Sequence, residues 1–252
     1  VDSGLMRVPR FSPRSGMTRL ETVRVSQASA DQRRGRAGRL EPGVCYRLWP
    51  EEAQRGLLPF TPPEILDADL APMALELALW GADAATLPWL TPPPAASLAT
   101  ARALLADLGA LDAKGSITPH GRAMARLGQH PRLAHLVLKG RELGQGRVAA
   151  LLAAILSERD FLRLPPGQRD VDLRHRVDIA LTGKRDGALR LIQEQARRLM
   201  PRGGGEDRPD VSMTGALLAL AYPDRIGRRR AGTVGRYLLS GGRYDRDRRV
   251  PT

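Results

Sequence analysis

Apolar positions change their spacing along this chain of 252 residues, and each change marks a different kind of element. Up to residue 49 they fall in short extended runs cut by Pro, Gly and Ser. The segment Arg10-Phe11-Ser12-Pro13-Arg14-Ser15-Gly16 separates residues 1–8 from residues 17–25, which predicts two strands joined as a hairpin. Residues 27–39 read as a short helix interrupted by glycine. Residues 44–49, bounded by Pro42-Gly43 and Pro50, read as one more strand.

Beyond Pro62-Pro63 the period becomes 3.6, with Ile65, Leu66, Leu70, Met73, Leu77 and Trp80 on one helix face that stops before Gly81. Ser97 is the expected cap of a second helix, whose Leu98, Ala101, Leu104, Leu105 and Leu108 share a face and whose C′ position falls on Gly109. Leu111 and Ile117 flank the turn Ala113-Lys114-Gly115. Thr118-Pro119 is a helix start, because the hydroxyl caps and the ring needs no N–H there. Helix, helix, small hairpin and helix is a winged-helix-like order. From Pro131 onward Leu133, Leu136 and Val137, then residues 148–156, then Val177 and Leu181, then Leu189 and Ile192 mark consecutive helices of a small antiparallel bundle. Gly203-Gly204-Gly205 sits in a linker over 202–210, followed by a helix over 212–222 and a strand over 237–239. The predicted class is α/β at the start and mostly α afterwards.

The apolar run 148–156 is the longest, far short of the roughly 20 residues that span a bilayer. No basic-then-apolar leader opens the chain, and Cys45 is the single cysteine, so no disulfide scaffold and no membrane span are expected, and the reducing cytoplasm is. The net charge is +13, with only three lysines among the 40 basic residues. Residues 1–40 carry nine Arg against three acids and residues 224–252 carry nine against three, while the middle is nearly neutral. Two basic ends on a balanced body point to a polyanionic partner.

One run concentrates chemistry: Gln32-Arg33-Arg34-Gly35-Arg36-Ala37-Gly38-Arg39. On a helical turn Arg36 and Arg39 are i,i+3 neighbours whose guanidiniums face the same oxyanion. Gly35 and Gly38 let a phosphate chain approach the backbone, and Gln32 offers an amide to the phosphate or to a water. Paired arginines suit the charge that spreads over a transferring phosphoryl group. The plainer reading is a solvated basic turn, or a patch on a nucleic-acid backbone.

The run resembles motif VI of the DEAH-box helicases of superfamily 2. The resemblance continues through Val1-Asp2-Ser3-Gly4-Leu5, Phe11-Ser12-Pro13-Arg14-Ser15-Gly16-Met17, Ser26-Gln27-Ala28-Ser29-Ala30, Gly43-Val44-Cys45-Tyr46-Arg47-Leu48, Pro63-Glu64-Ile65, Leu108-Gly109-Ala110-Leu111 and Tyr222-Pro223-Asp224-Arg225-Ile226. It covers residues 1–243 and fits the bacterial HrpB-type branch best. It implies that residues 1–61 form the last part of a second RecA-like lobe, in which Gln32, Gly35, Arg36 and Arg39 meet ATP and Arg36 and Arg39 serve catalysis. It further implies a winged helix over 62–128, a helical bundle over 129–201 that closes on single-stranded RNA, and a linker with the start of a C-terminal domain over 202–252. The hairpin would guide the strand, with Arg7, Arg10, Arg14, Arg19 and Arg24 as RNA contacts.

ATP and Mg²⁺ are the implied cofactors, yet the chain has no Gly-x-x-x-x-Gly-Lys-Ser/Thr loop and no Asp-Glu-x-His run. The resemblance therefore implies a first lobe elsewhere, a fragment that does not hydrolyse ATP alone, and a divergent tail over 244–252. The rival reading is a non-enzymatic winged-helix nucleic-acid-binding module. His120, His130, His135 and His175 show no metal-ligand spacing, so surface or capping roles and no metal are expected. Asp67 and Asp69 read as helix-start residues, and Cys45 as a buried small residue.

Overall fold

The computed structural model describes residues 1–12, 17–165, 167–168, 170–183, 187–200, 208–229, 236–240 and 244–246. Arg14, the glycine run 203–205 and residues 247–252 lie outside the described residues. The chain forms two compact units, Val1–Leu104 and Leu105–Thr252.

In the first unit β1 (Leu5–Ser12) and β2 (Met17–Arg24) pair antiparallel, in a register running from Leu5 opposite Arg24 to Ser12 opposite Met17. The predicted hairpin is present, with its first strand starting later than expected. Gly4 precedes it at φ +71°, and a Cβ there would run into the Trp49 ring. Residues 44–49 do not form the predicted strand. They offer one parallel bridge, Arg47 opposite Asp2, in which the Asp2 N–H donates to the Tyr46 carbonyl (2.8 Å) and the Leu48 N–H to the Asp2 carbonyl (2.9 Å). A ladder needs a partner along its length, and among the described residues only Asp2 provides one here.

Helix α1 (Gln27–Arg36) is capped by Ser26, whose hydroxyl accepts from the Ser29 N–H. Its last turn carries Arg33, Arg34 and Arg36, cations that suit the negative end of the helix dipole. Val25, Ala30 and Leu57, flanked by Met6 and Trp49, form a small core beneath it. A short α2 (Glu51–Arg55) follows. The apolar stripe expected from Ile65 splits into a single 3₁₀ turn, Glu64–Leu66, and α3 (Ala71–Trp80). Asp69 caps as expected, accepting from the Ala71 N–H, whereas Asp67 pairs with Arg10 on the hairpin. Gly81 ends α3 in the left-handed region.

Helix α4 (Ala95–Asp107) begins before Ser97, which lies inside it rather than capping it. In the second unit Gly109 turns the chain at φ +69°, and Leu111 bridges Ile117 across a turn organised by the Asp112 carboxylate. Thr118 caps α5 (Pro119–Arg126) as the sequence predicts, accepting from the Gly121 N–H. The bundle consists of α6 (Pro131–Glu142), α7 (Gly146–Ser157), α8 (Leu173–Thr182), α9 (Gly187–Arg198) and α10 (Thr214–Ala221). Every residue of α7 from Val148 to Ile155 is buried, so this helix is the core against which the others lay their apolar faces. Arg132 on α6 is only 5% exposed, and it makes a two-pronged ion pair with Asp224 (2.6 and 3.0 Å) while donating to the Ala221 carbonyl (2.9 Å). The chain after Asp224 enters β3 (Gly227–Arg229), which pairs with β4 (Arg236–Leu239), itself paired with β5 (Tyr244–Arg246).

Candidate functional site

The arginine run occupies the C-terminal half of α1, and its members divide by what they touch. Arg33 Nη1 donates to the Asp2 carboxylate (3.1 Å) and to the Leu5 carbonyl (3.1 Å). Arg34 lies 3.7 Å from Asp31, which also accepts from Arg47 (2.7 Å), and the Arg47 guanidinium stands 5.6 Å from the Trp49 ring centroid. By contrast, the side chains of Gln32, Arg36 and Arg39 are exposed and make no hydrogen bond or ion pair among the described residues.

The helical-turn geometry expected for Arg36 and Arg39 is not what forms. Helix α1 ends at Arg36, with Ala37 as its C-cap, and Arg39 follows in a turn. The glycines explain the early stop, since each lowers helix propensity and together they leave the last turn without side-chain support. Arg36 lines a cavity of about 400 Å³ together with Asp2, Ser3, Arg33, Val44 and Cys45; Gln32, Gly35 and Arg39 do not line it. A Cβ on Gly35 would meet open space, so packing within this chain does not demand glycine there. Cys45, expected to be buried, is half-buried on the wall of this cavity. Asp2, which the residue-level reading did not single out, is 7% exposed and is the acid around which the run is assembled.

The hairpin arginines separate by strand parity. Arg7 lies opposite Thr22, and Arg24 opposite Leu5, so these two share one face as diagonal cross-strand neighbours. Arg10 and Arg19 are paired directly on the other face, where Arg10 also reaches Glu21 (3.5 Å) and Asp67 (3.5 Å). Arg10 is thus held by two carboxylates, whereas Arg7, Arg19 and Arg24 are exposed and make no ion pair among the described residues. Beneath the Arg10 face, Met6, Val8, Val23, Leu57 and Phe60 line an apolar cavity of about 490 Å³.

His130 caps α6 through its ring nitrogen, as expected for a capping role. His175 bonds the Asp170 carboxylate (2.8 Å), which raises the imidazole pKa. Among the described residues no group of three or more His, Cys, Asp or Glu could hold a metal ion, and no helix is long and apolar enough to cross a membrane.

A family model described as the helicase associated domain (HA2), winged-helix, matches residues 101–128. Over 243 residues, 96% of its length, the chain is 42% identical to the ATP-dependent RNA helicase HrpB of Escherichia coli, of which it covers 28%. It is 36% identical to the ATP-dependent RNA helicase HrpA of the same organism over 71% of this chain and 14% of that protein. It is also 36% identical to the human probable ATP-dependent RNA helicase DHX35, over 69% of this chain and 25% of that protein. Two crystal structures of E. coli HrpB superpose on 96% of the chain with TM-scores of 0.76 and 0.78 at 41% identity. The chain spans less than a third of the length of each of these relatives.

Proposed function

Because the chain belongs to the HrpB-type branch of the DEAH-box RNA helicases, we propose that it works as part of an ATP-dependent RNA helicase, coupling ATP hydrolysis to movement along RNA or its unwinding. Residues 1–61 are read as the end of a RecA-like lobe, 62–128 as the winged helix, 129–201 as the bundle over the RNA strand, and 202–252 as the start of a further domain. The observation that carries the reading is the division of labour in the run. Arg33 and Arg34 are engaged by carboxylates, while among the described residues Arg36, on a cavity wall, and Arg39, beyond the helix end, have no ion-pair partner.

In this reading Arg36 and Arg39 face the γ-phosphate of ATP bound chiefly by another lobe, and their positive charges offset the charge that develops on the equatorial oxygens during transfer. Gln32 donates its amide to the same phosphate or orients the attacking water, and Gly35 keeps the helix surface clear for the phosphate chain. When bound, Mg²⁺ neutralises phosphate charge. This chain contributes no metal-ligand cluster among its described residues, so we assign that ion no ligand here. Arg7 and Arg24 on one hairpin face, with Arg19 on the other, bind RNA phosphates by charge. Aromatic residues are too sparse, at 4%, for base stacking to dominate. The chain alone is expected not to turn over ATP, and a single half-buried cysteine suits a cytoplasmic setting.

The test is a chimera in which residues 1–243 replace the matching segment of E. coli HrpB. RNA-stimulated ATP turnover is expected, and Arg36→Ala should lower kcat by about 10³-fold while leaving RNA affinity within about twofold. An unchanged kcat would sink the phosphate role. A fall in RNA affinity equal to that of Arg7→Ala would favour the rival, a nucleic-acid-binding module without an enzymatic role for the run.

A further inference from the structure

Arg33 and the buried Asp2 join the arginine run to the segment that precedes the hairpin. The Asp2 backbone is fastened on both sides, to Tyr46 and Leu48, and Asp2 Oδ1 accepts from the Gly4 N–H (2.9 Å) and from Arg33 Nη1 (3.1 Å). The same Nη1 donates to the Leu5 carbonyl (3.1 Å), so one guanidinium grips the chain on both sides of the Gly4 turn. Arg33 and Arg36 are i,i+3 on α1 and lie on the same side of the helix. Both line the cavity whose wall also carries Asp2.

We propose that Asp2 and Arg33 are positioning residues that set the rotation and pitch of the last turn of α1, so that Arg36 is held toward the cavity where a phosphate is met. The inference rests on the reading of Arg36 as a phosphate contact. A second feature supports it: Asp2 Oδ2 is buried and has no hydrogen-bond partner among the described residues. A buried carboxylate left half-satisfied destabilises the fold, and the bonds from Gly4 and Arg33 need only one acceptor oxygen, which an amide would supply. What an amide cannot supply is the negative charge. That charge pairs with Arg33 and acts across the shared cavity on the exposed Arg36 guanidinium. The pair Asp31–Arg47, sitting on the same bridge, ties Arg34 in the same way and leaves only the outer arginines for a ligand.

Arg33→Lys separates positioning from structural support. It keeps the charge opposite Asp2, so the folded state is retained, but its ammonium ends one bond short of the guanidinium and is not a planar fork. In the isolated chain, amide exchange at Ala37, whose N–H bonds the Arg34 carbonyl (3.0 Å), should quicken by about tenfold at an unchanged Tm. In the HrpB chimera, kcat for ATP should fall by about tenfold with KM and RNA affinity within about twofold, the signature of an interaction made only in the transition state. If Arg33→Lys unfolds, Asp2→Asn, which keeps an acceptor for Gly4 and Arg33 while removing the charge, carries the same expectation. Wild-type kcat in Arg33→Lys together with a low kcat in Arg36→Ala would overturn the mount alone. Wild-type kcat in Arg36→Ala would overturn the phosphate reading on which it stands.

Discussion

His120 Nε2 and His135 Nδ1 lie 2.9 Å apart, with their rings edge to face at 88°, joining α5 to α6 in the second unit. His135 is 8% exposed and also bonds the backbone of Leu108. Desolvation, then the neighbouring His120 and Lys139, lowers the His135 pKa to about 4, against a smaller upward pull from Leu108 and Glu142. Desolvation and then Lys139 lower that of His120 as well. Both histidines are therefore neutral in the folded state at neutral pH, and the unfolded chain binds more protons below its ordinary pKa of 6.5.

Stability from this pair is fully present above about pH 6.5 and is lost as the pH falls toward 4. At about 1.4 kcal/mol per pKa unit, His135 contributes at most about 3 kcal/mol to that loss. His135→Gln should flatten the decline of Tm between pH 6.5 and 4.5 relative to the parent chain. Parallel Tm profiles for the two would show that the histidine pair does not control it.

Two glycines should respond to alanine in opposite directions. A Cβ on Gly121 would overlap the Ala110 carbonyl, so Gly121→Ala forces α5 away from the turn that precedes it and should cost about 1–3 kcal/mol. Gly35 has open space around it, and Gly35→Ala in the last turn of α1 should stabilise, by less than the roughly 0.5–1 kcal/mol of a mid-helix position. Urea midpoints of the two variants test both signs. A fall in chimera turnover for the stabilised Gly35→Ala would mark a glycine kept for an approaching phosphate rather than for packing.

The Arg132–Asp224 pair fastens α6 to the turn after α10, with Tyr222 stacked between Arg132 (5.1 Å) and Arg225 (4.6 Å). Asp224→Ala leaves a nearly buried guanidinium with its carboxylate removed. The expected loss is about 2–3 kcal/mol, below the full range for a buried pair because the Asp224 side chain is more than a third exposed. Chemical denaturation of the variant, compared with Asp224→Asn, measures how much of that loss belongs to charge.

Hairpin faces should differ in RNA binding. Arg7→Ala combined with Arg24→Ala removes two uncommitted cations from one face and should lower affinity for a single-stranded RNA while reducing the log–log salt slope by about 1.4. Arg10→Ala should leave the slope nearly unchanged, because Glu21 and Asp67 already hold that charge. Equal slopes in both variants would mean that the hairpin parity does not decide the contact.

Local chemistry made much of this protein legible in its sequence. The all-apolar run 148–156 had to be a core helix, Thr118-Pro119 had to start one, and Gly81 and Gly109 had to end theirs. Each of these depends on residues within a few positions of one another. Other features depended on residues far apart in the sequence. Residues 44–49 have strand composition, but a strand exists only where another supplies hydrogen bonds, and among the described residues Asp2 alone does so. Which arginines of the run hold the fold and which stay open depends on Asp2, 31 residues from Arg33, and on Arg47, 16 from Asp31. The His120–His135 contact and the Arg132–Asp224 pair, 15 and 92 residues apart, carry no periodicity that could announce them. Short-range propensity and capping determined the elements. The tertiary structure decided the partners of each charge, because desolvation and pairing act between groups that only the folded chain brings together.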